Sequence, residues 1–243
     1  MVDRVEATIR ARVDDGTYRA GARLPGRRAL ASEHGTAEAT VTAALHRLRA
    51  QGVLQVRPSA GWYVLAERPV IRSTRSRLSR AERAAGRGTF STDCHAAGLE
   101  PDVSTVVEVV PADEDVAGWL GIDAGDEVLV RDRVMRAADE VVQLATSHLP
   151  RTITEGTAIE LENPGAGGIY RRLEELGYEL TSYIERVSIG RADEHEARIM
   201  QLGAGDPVFR VVRVAYAGDR AVEVNRITIT GNRYELVYEL PAE

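Results

Sequence analysis

The chain has 243 residues, 44% hydrophobic and 28% charged, which is enough for two domains with separate cores. No apolar run is long enough to span a bilayer and the start lacks the pattern of a secretion signal. The single cysteine, Cys94, excludes an internal disulfide, and no Cys/His group has zinc spacing. The expectation is a cytoplasmic protein with no metal, no cofactor and no membrane partner. The net charge of −6 hides an asymmetry: seventeen arginines face eight acids through Phe90, and fourteen face twenty-nine from Ser91 onward. A basic first third on an acidic remainder suits a head that binds a polyanion and a body that repels it.

Val2, Val5, Ile9 and Val13 make one apolar stripe, so the chain opens with an amphipathic helix ending near Gly16. Two short helical patterns follow, with Leu30 and His34 on the first and Val41, Ala44, Leu45 and Leu48 on the second. Gly35 and Thr36 separate them, and Gly52 closes the second. Residues 53–56 and 62–65 read as strands around a Pro-Ser-Ala-Gly turn. Helix, tight turn, helix and β-ribbon is the layout of a winged helix-turn-helix. Its second helix, over 37–50, is sized for a DNA major groove. Residues 67–88 are polar and rich in arginine, and read as a linker.

An internal repeat occupies the second half. Ala112-Asp113-Glu114 recurs as Ala192-Asp193-Glu194, Ala124-Gly125-Asp126 as Ala204-Gly205-Asp206, and Arg133-Val134 as Arg213-Val214; Gln143 meets Glu223. The offset is a constant 80 residues. Each copy reads as an acid-capped helix, a Gly-Asp turn and two alternating strands, over 127–136 with 141–149 and over 207–216 with 221–230. Two such units can share one antiparallel sheet under helices. The strand period puts Arg131 and Arg133 on one face, and Glu223 and Asn225 on one face. A glycine loop, Gly165 to Gly168, feeds a helical pattern of Ile169, Tyr170, Leu173 and Leu176. A helix start behind such a loop is an anion site in principle, and Arg133 or Arg131 could pair the anion bidentately. The fold class is therefore α+β: a winged helix-turn-helix domain over 1–66, a linker over 67–88, and an antiparallel-sheet domain with flanking helices over 89–243.

The first domain resembles the DNA-binding domain of GntR-type bacterial transcriptional regulators. The resemblance lies on Gly16-Thr17-Tyr18, Gly21, Leu24-Pro25, Arg28, Leu30-Ala31, Thr40-Val41, Ala44-Leu45, Leu48, Gly52, Gly61 and Tyr63-Val64. It implies that Arg28 contacts the DNA backbone. The recognition helix departs from the family, which opens it with Ser-Arg and carries Thr-Val-Arg a step later; this chain has Ala37-Glu38 and Thr40-Val41-Thr42. Glu38 can accept from a cytosine amino group, and Thr40 and Thr42 can bond phosphate or touch a thymine methyl. Arg47 and Arg49 read as surface charges. In the wing, Arg57, Ser59 and Gly61 are the candidates, Ser59 standing where family wings often carry glycine.

Residues 73–241 resemble the effector-binding UTRA domain of the HutC branch of these regulators, which has a chorismate-lyase-like fold. The resemblance lies on Gly88 and Phe90, the strand from Val128 to Arg133, Val141 to Pro150, Gly167 to Tyr170, Glu174, Gly177, Gly205, Pro207-Val208, Val222 to Val224, and Arg233 to Glu235. It implies that Arg133, Ser91, Thr92 and Gly168 to Tyr170 hold the effector's anionic group, and that Gln143, Glu223, Asn225 and Tyr234 line the same pocket. The resulting expectation is a homodimeric regulator, read as a repressor. It would bind a two-fold symmetric duplex operator and answer to a small polar or anionic metabolite, with the linker as the place where its arrangement changes. The rival readings are a regulator that has lost specific DNA binding and works through protein contacts, and a lyase-like enzyme. The five histidines show no triad or metal spacing, so no catalytic residue is assigned.

Overall fold

Helical spacing of apolar residues builds the first region. Helix α1 (Val2–Asp14) buries Val5 and Ile9, α2 (Arg27–His34) buries Leu30 and Ala31, and α3 (Glu38–Ala50) buries Val41, Ala44, Leu45 and Leu48. With Leu24, Leu54 and Val64 these side chains form one core. Gly35 caps α2 in the left-handed conformation, φ +60°, which a β-carbon would strain; it makes the tight turn into α3 possible. Strands β1 (Leu54–Arg57) and β2 (Gly61–Val64) pair antiparallel, and Arg23 adds a single bridge to Tyr63. This is the winged helix-turn-helix that the spacing predicts.

The structure is a computed structural model that describes residues 1–57, 60–65, 71–74, 88–203 and 205–238. It divides into two compact units: Met1–Arg68 with Ala192–Asp206, and Pro69–Arg191 with Pro207–Glu243. Apart from 71–74 and Gly88, the predicted linker lies outside the described residues, as does the wing residue Ser59.

The second unit is organised around a six-stranded antiparallel sheet of order β4-β5-β6-β9-β8-β7. Its strands are β4 (Pro101–Pro111), β5 (Glu127–Ala137), β6 (Glu140–Pro150), β7 (Ser182–Arg191), β8 (Pro207–Ala217) and β9 (Arg220–Thr230). The repeat is visible as two three-stranded meanders joined through β6 and β9. Both hairpins carry a register shift at the same place, Met135/Arg136 and Ala215/Tyr216, 80 residues apart. The cap recurs too. Asp113 accepts from the Val116 backbone ahead of α5 (Glu114–Leu120), and Asp193 from that of Glu196 at α8 (Glu194–Ile199). The Gly-Asp turns close with matching bonds, Ala112 N–H to Asp126 O and Ala192 N–H to Asp206 O. Each meander also has an outer strand, β4 and β7, that the repeat pattern did not predict. Beside the sheet, β3 (Ile71–Thr74) pairs in parallel with β10 (Tyr234–Val237).

Side-chain alternation gives the sheet two faces. Val128, Val130, Val214 and Val224 pack one face against α5. The other face carries two apolar clusters. Phe90 and Cys94 of α4 (Thr89–Ala96), with Met135, Ala145, Val211, Ile227 and Tyr234, form the first. Leu129, Leu149 and Ala215 form the second, with Ile153 of α6 (Arg151–Thr154), Ile159 of a short turn of 3-10 helix, and Ile169, Tyr170 and Leu173 of α7 (Gly168–Glu175). Burying the Cys94 thiol in the first of these pushes its pKa up to about 11, so it packs and does not act as a thiolate at neutral pH.

Candidate DNA interface and effector site

In the head, Arg28 is exposed in the first turn of α2 beside Arg27, as a phosphate contact requires. Glu38 is exposed in the first turn of α3. Thr40 is half-buried, and the Thr42 hydroxyl donates to the Glu38 carbonyl at 2.8 Å, which leaves it only lone pairs to offer outward. Gly61, φ +104°, lies opposite Arg57 across the β1–β2 ladder. The Arg57 guanidinium stacks on the Tyr63 ring, 4.4 Å from its centre. Arg47 and Arg49 are both held by acids: Arg47 by Asp3 at 2.6 Å and by Glu6, and Arg49 by Asp206, its Nε donating at 3.0 Å.

In the sheet, register gathers a polar row between the two apolar clusters. Arg131, Ser147, Asn225, Arg213 and Glu185 lie side by side across β5, β6, β9, β8 and β7. Arg133 sits two residues along β5 from this row, and Glu223 two residues along β9. The Arg133 guanidinium donates to Ser147 Oγ, and Ser147 donates in turn to Glu223 Oε1 at 2.5 Å. The second Glu223 oxygen, the Asn225 side-chain oxygen and Arg133 Nε are buried with no hydrogen-bond partner among the described residues. Leaving such atoms unpaired costs about 1–3 kcal/mol each, so they mark where a ligand's polar groups would be welcome.

Electrostatics sharpen the picture. Burial lowers the Arg133 pKa, and Glu223 partly offsets it. Burial, followed by the nearby Glu223 charge, raises the Tyr170 phenol well above its ordinary value, so the phenol stays protonated and can donate. Burial works against the Arg213 charge, but the Glu185 and Glu223 carboxylates outweigh it and hold Arg213 cationic. Its Nε donates to Glu185 at 2.7 Å. Arg131 is used differently: its guanidinium donates to the carbonyls of Ile159, Leu161 and Glu162. Burial and then the like charge of Arg133 bring its pKa down to about 10. Arg131 thus anchors the 158–162 turn over the sheet.

The structure therefore brings Arg133, Glu223, Asn225 and Tyr170 together. Gln143 points elsewhere, donating to Met135 Sδ at 3.0 Å, and Tyr234 is buried with the Phe90 cluster. Ser91 and Thr92 lie in the first half of α4, where Thr92 donates to the Gly88 carbonyl. Gly168 opens α7 with φ +65°, and its N–H is taken by the Gly165 carbonyl. Ser147, Arg213 and Glu185 belong to the row but were not among the expected site residues. The repeat signals one of them, since Arg213 stands 80 residues from Arg133; nothing in the sequence marks Ser147. Among the described residues no cluster of histidine, cysteine and acids could hold a metal, and no helix is long and apolar enough to cross a membrane.

A basic winged helix-turn-helix and a separate sheet with a buried polar seam define a class of protein, the ligand-responsive transcriptional regulators. Two family models place the chain within it: residues 1–64 match "Bacterial regulatory proteins, gntR family", and residues 97–235 match "UTRA domain". The chain belongs to the GntR-type regulators that carry a UTRA domain, and is a transcriptional regulator. It is 29% identical over 230 residues to the HTH-type transcriptional repressor PhnF of Mycolicibacterium smegmatis, covering 93% of this chain and 88% of that protein. The crystal structure of that repressor superposes with a TM-score of 0.62 at 28% identity, over 98% of this chain and all of the other. A GntR-family regulator from Bacillus cereus superposes over 58% of this chain and 99% of its own, with a TM-score of 0.53 and 26% identity.

Proposed function

We propose that this protein is a homodimeric repressor that grips a two-fold symmetric operator through α2, α3 and the wing, and releases it when a small anionic metabolite enters the polar seam of the sheet. The observation that carries the reading is the charge of that seam. Among the described residues the seam itself holds three arginines, Arg131, Arg133 and Arg213, and two carboxylates, Glu223 and Glu185, and burial lowers the Arg133 pKa while Glu223 and, more weakly, Asp132 offset it. A ligand anion near Arg133 would balance the charge, and donors on the ligand would meet Glu223 and Asn225. Tyr170, Ser91 and Thr92 are the further lining residues of this reading, and Gly168 opens the helix that carries Tyr170; Gln143, turned to Met135, and Tyr234, packed in the Phe90 cluster, are not. Repression is favoured by the repressor named among the relatives.

The effect needed is modest. A hundredfold loss of operator affinity requires about 2.7 kcal/mol of coupling between the sites. The test is footprinting on genomic fragments from around the protein's own gene, at near-physiological salt with competitor DNA, with and without a panel of phosphorylated sugars and small carboxylic acids. Protection of one short palindrome, lost on adding a panel member, is the expected result. Weak, salt-sensitive binding to every fragment would overturn the DNA assignment, and a footprint indifferent to every anion would overturn the effector assignment.

A further inference from the structure

The recognition helix and the wing differ in charge. On α3 both arginines are held by acids and the first turn presents Glu38. Segments 19–28 and 53–65, which build the wing and the entry to α2, contain five arginines and no acid. Two of these arginines are placed against Tyr63 and Gly61 of the wing. Arg57 is stacked on Tyr63, which occupies the flat face of the guanidinium and leaves its N–H edge free to donate. Arg23 bridges to Tyr63 through its backbone, and its guanidinium lies over Gly61, where an added β-carbon would stand 3.5 Å from Nε. That is ordinary van der Waals distance, so the Arg23 guanidinium lies alongside Gly61, which itself pairs with Arg57 across the ladder. Neither guanidinium has a carboxylate partner among the described residues.

Resting on the DNA-binding reading above, we propose that Arg23 and Arg57 form a two-arginine clamp for the minor groove, so that operator choice depends on narrow, A·T-rich flanks beside the segment read by α3. The physical reason is where cations remain. With its arginines engaged, α3 has no free guanidinium for the bidentate contact to guanine that dominates major-groove readout. A narrow minor groove concentrates negative potential and draws in arginine, which sheds its hydration more readily than lysine. Arg57 on the ribbon and Arg23 bridged to it at Tyr63 both lack a carboxylate partner among the described residues, which suits that groove.

The test uses the full-length protein and three duplexes of its footprinted operator. They differ only in the flanks of each half-site: A·T, G·C, or inosine·C. Inosine keeps the major-groove face of guanine but lacks the amino group that fills the minor groove. The wild type is expected to bind the A·T and inosine·C duplexes about tenfold more tightly than the G·C duplex. The Arg23→Ala/Arg57→Ala variant, checked for an unchanged circular dichroism spectrum and melting curve, is expected to bind all three within about twofold of one another. Arg23→Lys/Arg57→Lys, which keeps both charges, should weaken the A·T and inosine·C complexes toward the G·C value and so lose most of the preference. Equal wild-type affinity for the three duplexes would overturn the clamp, as would a double variant that weakens all three by one common factor, the mark of phosphate contacts alone. A wild type without any preferred fragment fails at the footprint, before flanks are compared, and overturns the DNA-binding reading and the clamp with it.

Discussion

Arginine is used in opposite ways in the two regions. In the head, Arg23, Arg27 and Arg28 are exposed, and holding their charge in water costs little. In the function proposed here their partner is the DNA backbone. In the sheet, Arg131 and Arg213 are only 2% and 3% exposed, and each is offset from within, one by three carbonyls and the other by Glu185. A buried cation must be compensated, so an added charge in the sheet would weigh far more than one at the surface of the head. The difference teaches that one residue type can stand exposed and unneutralised, as a long-range electrostatic grip needs, or buried and compensated, as the proposed short-range sensor needs. Burial alone separates the two roles.

The comparison can be broken most sharply at Arg213. Arg213→Ala strands Glu185 and removes a neighbour of Glu223, and should cost about 3–5 kcal/mol in urea unfolding of the sheet. The double variant Arg213→Met/Glu185→Leu should recover most of that loss. A single-variant cost below about 1 kcal/mol would show that the pair is effectively solvated. In the head, the corresponding large effect comes from packing, not charge. Leu48 is fully buried among Val5, Ile9 and Leu45, and Leu48→Ala should cost about 2–5 kcal/mol. Because that core is separate, calorimetry should show the head transition shifted and the sheet transition in place.

A smaller effect is expected at Arg28. Arg28→Ala removes an exposed charge and should leave stability within about 0.5 kcal/mol, while lowering the salt slope of operator binding by about one. An unchanged slope would take Arg28 off the phosphate backbone. The smallest effect lies at Asp113, which caps α5 and bonds Arg226 at 3.0 Å. Arg226, and then the Val116 backbone, hold its carboxyl below the usual value. Its folded pKa is depressed, so its stabilisation is full above the ordinary carboxylate pKa and fades as pH falls through the lower, folded value. Asp113→Ala should cost about 1 kcal/mol at neutral pH, with variant and wild type converging in acid. A gap that persists below pH 3 would mean the loss is one of packing.

Much of this was legible in the residues. The helical stripes found α1, α2 and α3, and Gly35 and Gly52 marked their ends. The 80-residue repeat found both hairpins and both acidic caps, because short-range alternation and caps are written locally. The outer strands β4 and β7 were hidden. Val106 on β4 is 64% exposed and Ile189 on β7 is 79% exposed, so apolar residues there do not report a buried face. The β3–β10 pair joins four-residue segments more than 160 positions apart, and no local pattern carries such a pairing. In the seam, alternation placed Arg131 and Arg133 on one face but could not tell which was free. That depends on the carbonyls of 159–162, whose position over β5 is a matter of tertiary packing.

The central claim is that the seam senses and the head grips, and Arg133→Gln tests it most directly. Operator affinity should be measured for wild type and variant, with and without the anionic metabolite that releases the wild type. The glutamine keeps a donor for Ser147 but removes the charge. The account predicts equal affinity without metabolite, within about twofold, and release of the wild type alone. A variant released at the same metabolite concentration as the wild type would place the sensing site elsewhere and contradict the account.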